Sequence, residues 1–310
     1  MRNIQTVALI GLGAIGCSIA RELQRAVGAD NFRVIAGGAR GDRIQNQGVW
    51  INGEHCRFAV TPPAARTSPA DLVIVAVKYP ALPQAIRDIA NQVGPDTMIL
   101  SLLNGVTSER EIAAVYGWEH MLYGLVRRSV VMQGNVCTFD AWGTYYFGEK
   151  TNQTRSERVQ AMCRLFDKAG IHWEVPQDVV REQWFKFLGN IGENQTSAIL
   201  GIPYGAWHTD GNDANWVREA ACREVIAVAQ KLGIDLGEAD LARQRAVIKS
   251  VPAQGKTSML QDIEAGRPTE VDMFAGALCR MGRECGVPTP VNELLYHMIR
   301  VLEQKNRDAL

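Results

Sequence analysis

The sequence lacks the patterns that mark several large classes of protein. Its 33 lysine and arginine residues equal its 33 aspartate and glutamate residues, so no net charge attracts nucleic acid or an anionic membrane. No stretch approaches the roughly 18 uninterrupted apolar residues of a membrane-spanning helix. The N-terminus also lacks a signal-like apolar segment. These absences favour a cytoplasmic protein whose partners are small molecules rather than polyanions or bilayers.

Metal-binding and disulfide patterns are missing as well. The seven cysteines are odd in number, scattered, and never spaced as Cys-x-x-Cys. The five histidines form no His-x-x-x-His pair and no cluster with the cysteines. We therefore expect reduced, mostly buried thiols and no metal site.

What the chain does contain is enough apolar sequence for two domains. It has 310 residues, of which 46% are hydrophobic, and a typical domain has about 100 to 150 residues. Short apolar strands alternate with helical patterns as far as Pro176, and every later segment reads as helix. We predict an α/β Rossmann-type dinucleotide-binding domain over residues 1–176 and an all-α domain over residues 177–310, with the substrate in a cleft between them.

A glycine-rich turn near the N-terminus gives the first functional signal. The apolar strand Thr6–Ile10 is followed at once by Gly11, Leu12, Gly13, Ala14, Ile15 and Gly16, and then by a helical pattern. In this setting the three glycines allow a tight turn, a close approach of the backbone to a pyrophosphate, and close packing of helix on strand. We predict that these six residues bind a dinucleotide at the helix N-terminus.

Three later features refine the cofactor prediction. The second strand, Phe32–Ala36, is not followed by the acidic residue that binds the ribose of NAD, and Arg40 and Arg43 follow instead, which favours NADP. Lys78 and Asn104 follow the next two apolar strands, at the edge of the sheet where ligands bind. Solvated loop arginines, a solvated lysine and a plain Asn-Gly turn are the alternative interpretations.

Two turn signals predict further strands. Asn52-Gly53 lies between apolar-rich segments and indicates a hairpin that decorates the sheet. Segments of alternating polarity on either side of Gly134-Asn135 indicate antiparallel strands appended to the same sheet.

The stretch Gln183–Gly201 carries an unusual polar stripe. In a helix, Lys186, Asn190 and Asn194 lie at i, i+4 and i+8 on one face, whereas most other positions are apolar. Asparagine is a poor residue for a helix interior, so two of them on one face of a buried helix need a polar partner. That partner is either another helix in a structural hydrogen-bond network or a bound substrate.

A second polar segment, Thr257–Asp272, has two interpretations, one structural and one functional. Ser258 begins one predicted helix and Glu270 another. Each residue could serve its own helix alone, Ser258 in a capping arrangement with Gln261 and Glu270 through the helix dipole. The residue types by themselves leave both interpretations open.

Together these motifs resemble the ketopantoate reductase (2-dehydropantoate 2-reductase) family. The resemblance covers essentially the whole chain and rests on GLGAIG, VK, LNGV, WFKFLGNIGEN and SMLQDIEAGRPTEVD. It implies reduction of 2-dehydropantoate to pantoate by NADPH in pantothenate and coenzyme A synthesis. Lys186 would be the general acid, and Glu270 its partner and a contact of the cofactor.

The resemblance also implies roles for the remaining polar residues. Asn190, Asn194 and Ser258 would bind the substrate, Asn104 would lie beside the nicotinamide and the substrate, and Arg40 and Lys78 would hold the 2′-phosphate region. The chain departs from some members at Gly255, where they carry a further substrate-binding amide.

Three questions stay open at this point. Gly255 leaves room for a related reductase of another 2-oxo acid. A cofactor-binding sensor without turnover is a second alternative, and the complete set of implied catalytic residues stands against it. The resemblance is also in keeping with a homodimer formed through the helical domain.

Overall fold

The computed structural model describes residues 3–307 of the chain. They fall into two compact units, the first ending at Val180 and the second beginning at Arg181. The first unit combines sheets and helices, whereas the named elements that follow are all helical. The predicted fold class, a Rossmann-type α/β domain followed by an all-α domain, is confirmed.

An eight-stranded sheet forms the centre of the first unit. Its strands, in spatial order, are β12 (Trp173–Glu174), β11 (Thr144–Gly148), β8 (Met121–Arg127), β7 (Met98–Ser101), β6 (Leu72–Val75), β1 (Val7–Ile10), β2 (Phe32–Ile35) and β5 (Ala59–Thr61). Every neighbouring pair is parallel except β8 and β11. The antiparallel addition predicted for the segment after Met121 is therefore present at β11.

Helices cover both faces of this sheet, which explains its continuous apolar strands. They are α1 (Ala14–Val27), α2 (Gly38–Gln47), α3 (Leu82–Asp88), α4 (Ser108–Tyr116) and α5 (Glu157–Ala169), with short 3-10 turns at Ala29–Asn31, Tyr79–Ala81 and Ala90–Gln92. Side chains of a strand alternate between faces. In β1, Val7 and Leu9 join one hydrophobic cluster while Ala8 and Ile10 join the other. Both sets must be apolar because both faces are buried.

A second, four-stranded sheet corrects the prediction for the two hairpins. Strands β3 (Val49–Ile51) and β4 (Glu54–Cys56) form the hairpin predicted at Asn52-Gly53, where both residues have positive φ. Strands β9 (Val130–Gln133) and β10 (Val136–Phe139) form the other. These hairpins do not join the main sheet, because β3 pairs with β10 and the four strands make a sheet of their own.

The second unit contains six α-helical stretches beyond the boundary helix. The elements are α6 (Val179–Gly189), α7 (Gln195–Leu200), α8 (Asp213–Lys231), α9 (Glu238–Ser250), α10 (Ser258–Glu264), α11 (Ala277–Cys285) and α12 (Pro290–Asn306), with a 3-10 turn at Tyr204–Trp207. The unit also has two five-residue π-helical segments. The first, Asn190–Asn194, joins α6 to α7, and the second, Asp272–Gly276, leads into α11. The predicted continuous helix from Gln183 to Gly201 is thus interrupted by a π turn. No helix within residues 3–307 is long and apolar enough to cross a bilayer.

Candidate functional site

The glycine-rich turn between β1 and α1 has the geometry that its glycines predict. Gly11 has φ of +96°, and a Cβ there would lie 2.5 Å from the carbonyl carbon of Ala76. A Cβ at Gly16 would overlap the carbonyl oxygen of Gly11. Both positions therefore exclude any side chain, because the strand, the turn and the helix touch through their backbones.

The N-terminus of α1 is left open by this turn. Gly13 is the N-cap, its helix has no capping side chain and no acidic residue in the first turn, and a Cβ at Gly13 would meet nothing within 4 Å. The free backbone N–H groups and the helix dipole of this 14-residue helix favour an anion. The pyrophosphate of a dinucleotide fits this open, positively polarised end.

Arg40 and Arg43 lie on α2, so they are not the loop arginines of the alternative interpretation. Both side chains are exposed, and together with Leu12 and with Asn135 of the β9–β10 turn they line a small hollow. The structure thus brings Arg40 next to the glycine-rich turn. Sequence analysis missed Asn135 here, because its only signal was that of a hairpin turn.

Lys78 and Asn104 come to the same edge of the sheet as the glycine-rich turn. Strands β1, β6 and β7 are adjacent and in register, with Ile10 beside Val75 and Val75 beside Ser101. Gly13, Lys78 and Asn104 each follow their strand by three residues. The carboxyl ends of the three strands therefore present these residues side by side, at the edge where ligands bind in this kind of sheet.

In the second unit, Lys186 lies in the last turn of α6 among buried aromatic side chains. Trp184, Phe185 and Phe187 are at most 5% exposed, whereas Lys186 is half-buried. The prediction of a buried helix with one polar stripe is confirmed for this element. The ring of Phe187 also faces that of Phe274 in the other π segment, with 6.5 Å between centroids.

Asn190, Asn194 and Ser258 form a connected chain of hydrogen bonds. The Nδ2 of Asn194 donates to Asn190 Oδ1 over 3.4 Å, and Ser258 Oγ donates to Asn194 Oδ1 over 3.0 Å. The backbone N–H of Met259 donates to the same oxygen over 3.3 Å. The N-terminus of α10 is thus fixed on the π segment by one asparagine side chain.

The capping alternative for Ser258 is corrected by its neighbour. Thr257 is the N-cap of α10, and its Oγ1 accepts a hydrogen bond from the N–H of Leu260 over 3.3 Å. Gln261 donates to the carbonyl of Lys256, so a local capping arrangement does exist. Ser258 occupies the first helical position with its side chain exposed and turned to Asn194.

Glu270 begins the second π-containing helix. Its carbonyl oxygen accepts from the N–H groups of Met273 and Phe274 over 3.0 and 3.1 Å, and its side chain is half-buried. The two π segments pack against each other. Glu270 therefore lies just before the π segment that packs against the one carrying Asn190 and Asn194.

A buried polar cluster on the other side of the π segment escaped the sequence analysis. Glu193, between the two asparagines, is 7% exposed and accepts a hydrogen bond from Gln244 Nε2 over 2.6 Å. Burial raises the pKa of the Glu193 carboxyl to about 7. Arg218 of α8 is completely buried nearby. The sequence signal that could have indicated this cluster is the presence of a glutamate, Glu193, inside an otherwise apolar helix.

An open parallel sheet with a glycine-rich turn at a helix N-terminus, followed by a helical unit, defines the chain as an NAD(P)-binding oxidoreductase fold. The family described as ketopantoate reductase PanE/ApbA matches residues 7–152, and its C-terminal part matches residues 178–303. The chain belongs to the ketopantoate reductase family.

Individual relatives span the chain from end to end. The 2-dehydropantoate 2-reductase of Mesorhizobium japonicum is 30% identical, over 96% of this chain and 97% of the relative. A ketopantoate reductase structure from Ralstonia eutropha JMP134 superposes with a TM-score of 0.83 at 25% identity, covering 97% of this chain and 99% of that one.

Two further structures share the fold at lower identity. D-mandelate dehydrogenase with NADH and anilino(oxo)acetate has a TM-score of 0.85 at 21% identity, and dimeric ketopantoate reductase from Staphylococcus aureus has 0.81 at 21%. Both likenesses cover 97% of this chain and 99% of the other. These two likenesses show that the fold is shared.

Proposed function

We propose that this protein reduces 2-dehydropantoate to pantoate with NADPH, in the synthesis of pantothenate and coenzyme A. The observation that carries the proposal is a chain of hydrogen bonds that links Asn190 and Asn194, in the π segment directly after the helix of Lys186, to Ser258 of α10. Family membership and the name of the Mesorhizobium japonicum relative support the same reaction. The cytoplasmic location expected from the sequence is part of this proposal.

The cofactor roles that we propose belong mainly to the dinucleotide-binding domain predicted over residues 1–176. The Gly11–Gly16 turn holds the pyrophosphate, and Arg40 and Lys78 bind the 2′-phosphate region. The open N-terminus of α1 and the hollow shared by Leu12 and Arg40 support these roles. Asn104 and Glu270 complete the cofactor contacts. NADPH, when bound, supplies the hydride.

The catalytic roles that we propose belong to the all-α domain predicted over residues 177–310. Reduction of a ketone leaves negative charge on the oxygen, and the Lys186 ammonium donates a proton to it, an effect typically worth about 10²- to 10⁴-fold in rate. Glu270 positions Lys186. Asn190, Asn194 and Ser258 bind the carboxylate and hydroxyl groups of the substrate, with amide and hydroxyl donors that suit both.

The experiment that tests the proposal is an NADPH oxidation assay. The purified protein is supplied with 2-dehydropantoate and, separately, with a panel of other 2-oxo acids, and NADPH absorbance is followed. Turnover highest with 2-dehydropantoate is the expected result. Turnover with another member of the panel would assign a different substrate, and cofactor binding without any turnover would favour the sensor.

A second candidate, a reductase of another 2-oxo acid, is favoured by one specific observation. Gly255 carries no amide side chain, and the Cδ2 atom of Tyr204 lies 3.4 Å from the place where a Cβ would be. An aromatic ring thus lies beside the position at which some family members offer a polar contact. Aromatic and branched 2-oxo acids belong in the substrate panel for this reason.

We also propose a homodimer formed through the second unit. Leu294, Met298 and Val301 are 61%, 40% and 50% exposed and lie on one face of α12, which is an apolar stripe that a partner would cover. The Staphylococcus aureus relative is described as dimeric. Light scattering should give twice the monomer mass, and Met298→Glu should reduce it to the monomer mass.

A further inference from the structure

Behind the two substrate-binding asparagines lies a cluster of buried polar side chains with no role in the proposed chemistry. Glu193, Gln244 and Arg218 are 7%, 6% and 0% exposed. Gln244 Nε2 donates to Glu193 Oε1 over 2.6 Å, which joins α9 to the centre of the π segment. A polar group is buried at a substantial cost unless it is bonded, so such a cluster needs a reason.

The π segment needs support from other side chains, because its wider turn removes carbonyl groups from the regular α-helical pattern. Gln195 Nε2 donates to the Ile191 carbonyl over 2.9 Å, and Thr196 Oγ1 donates to the Gly192 carbonyl over 2.6 Å. These bonds satisfy the carbonyls but do not fix the orientation of the segment relative to α9.

Two glycines let α8 and α9 approach the segment closely. A Cβ at Gly189 would lie 2.5 Å from Gln244 Nε2, and a Cβ at Gly192 would lie 2.5 Å from Cys222 Sγ. The backbone around Glu193 is therefore in direct contact with both helices. A small displacement of Gln244 would be passed to the segment and to the asparagines on it.

The charges around Glu193 are few. Arg218 and Cys222 face it from α8, and Tyr204 is near enough for the Glu193 charge to act on its hydroxyl. Arg218 Nη2 bonds Asn215 Oδ1 and Glu219 Oε1 over 3.3 and 3.1 Å. Its Nε and Nη1 are buried without a hydrogen-bond partner in the described part of the chain. Glu193 is therefore held by one neutral donor and one cation at longer range.

We infer that Glu193 is a positioning residue for the substrate site: through Gln244 it orients the π segment, so that Asn194 meets both Asn190 and Ser258. Within the described residues, its own side chain is not hydrogen-bonded to any of these three. This inference rests on the proposed function only for the identity of the ligand, a 2-oxo acid.

The test compares Glu193→Leu and Glu193→Gln with wild type. Glu193→Leu removes the acceptor, and we expect the KM for the 2-oxo acid to rise about 10- to 100-fold while kcat falls less and the NADPH Kd is unchanged. Glu193→Gln keeps a neutral acceptor of the same shape and should behave like wild type below about pH 6, where the wild-type carboxyl is protonated. Because the ionised carboxylate is penalised by burial, the wild-type KM should rise between about pH 6 and about pH 8, and Glu193→Gln should lose that rise.

The matched control is Asp240→Asn. Asp240 is also buried, at 4% exposed, and lies on α9 one turn before Gln244, where it accepts from the Gly237 N–H and pairs with Arg181. Loosening α9 at this point should leave the KM for the 2-oxo acid near the wild-type value. An equal rise in KM for Asp240→Asn would mean a general structural effect and would overturn the inference.

Hydrogen exchange of the backbone amides in residues 189–200 provides a readout that needs no turnover. Glu193→Leu should exchange faster there than wild type, whereas Glu193→Gln should not. Unchanged exchange together with an unchanged KM would overturn the inference. If wild type reduces no 2-oxo acid, the proposed function fails, and the exchange result still decides the role of Glu193.

Discussion

The glycine-rich turn Gly11–Gly16 and the polar helix Lys186–Leu200 are built in opposite ways. In the turn, the surface that we propose for the cofactor is the backbone itself, and its shape depends on the lack of side chains at Gly11 and Gly16. In the helix, the proposed contacts come from side chains, and their placement depends on groups from several other helices.

This difference determines how each region tolerates change. The turn is constrained by hard overlaps within a few residues and its neighbouring strand, so a single added methyl group is enough to disturb it. In the helix Lys186–Leu200, the placement of the side chains is constrained by hydrogen bonds from distant parts of the chain, and each of these bonds is of modest strength. Substitutions should therefore act on stability and cofactor binding in the turn, and on catalysis and substrate affinity in the helix.

The largest expected effect is that of Lys186→Ala on turnover. If Lys186 donates the proton, kcat should fall by about 10²- to 10⁴-fold while the NADPH Kd changes little, because the lysine acts on the substrate oxygen. Steady-state kinetics and a cofactor titration measure the two quantities. Lys231→Ala, an exposed lysine at the end of α8 in the same unit, is the control. Equal kcat in the two variants would remove Lys186 from the mechanism.

A second prediction concerns stability and pH in the helix. The pKa of Glu193 is raised by burial from 4.5 to about 7, so the folded state holds a proton that the unfolded state releases. The free energy of unfolding should therefore fall as pH rises, by about 2 kcal/mol between about pH 5.5 and about pH 8.5. Urea unfolding of wild type and Glu193→Gln measures this. For Glu193→Gln, the free energy of unfolding should lack this decrease with pH. The same dependence on pH in wild type and variant would contradict the raised pKa of Glu193.

The two regions also differ in how well the sequence predicts them. The bounds of β1 follow the predicted strand Thr6–Ile10 within a residue because a continuous apolar run is a local signal. The glycine-rich turn is predicted equally well because its signal comes from consecutive residues. The helical start of α2 was missed because Gly37 and Gly38 read as a loop.

The π segment could not be predicted for a different reason. Its sequence continues a helical pattern on both sides, and the groups that stabilise the wider turn include Gln244 and Asn292, which lie far along the chain. The link from Asn194 to Ser258 has the same non-local character. The sequence pattern predicts which residues carry the polar stripe, whereas the packing of α8, α9 and α10 determines which way each one faces.

A third prediction separates two glycines of the turn. Gly16→Ala should reduce the free energy of unfolding by about 2 kcal/mol, because its Cβ would overlap the Gly11 carbonyl oxygen. Gly13→Ala should change it by less than about 1 kcal/mol, since its Cβ meets open space. If pyrophosphate binds there, Gly13→Ala should nevertheless weaken NADPH binding. Denaturant unfolding measures the free energy of unfolding of each variant, and cofactor titration measures its affinity for NADPH. If Gly16→Ala and Gly13→Ala destabilise the protein equally, the predicted difference between the two glycines is wrong.

The smallest expected effect tests the choice of cofactor at the turn. Arg40→Gln should weaken NADPH by about tenfold, close to 1.4 kcal/mol, through loss of a guanidinium contact to phosphate, and should leave NADH binding unchanged. Arg57→Gln, another exposed arginine of the first unit, is the matched control. Since Arg40 lies beside Leu12 on an exposed helix face, solvent screens its charge, and the effect should shrink as salt is added. Equal weakening of NADPH and NADH would mean that Arg40 does not recognise the 2′-phosphate and that selectivity resides elsewhere along this edge.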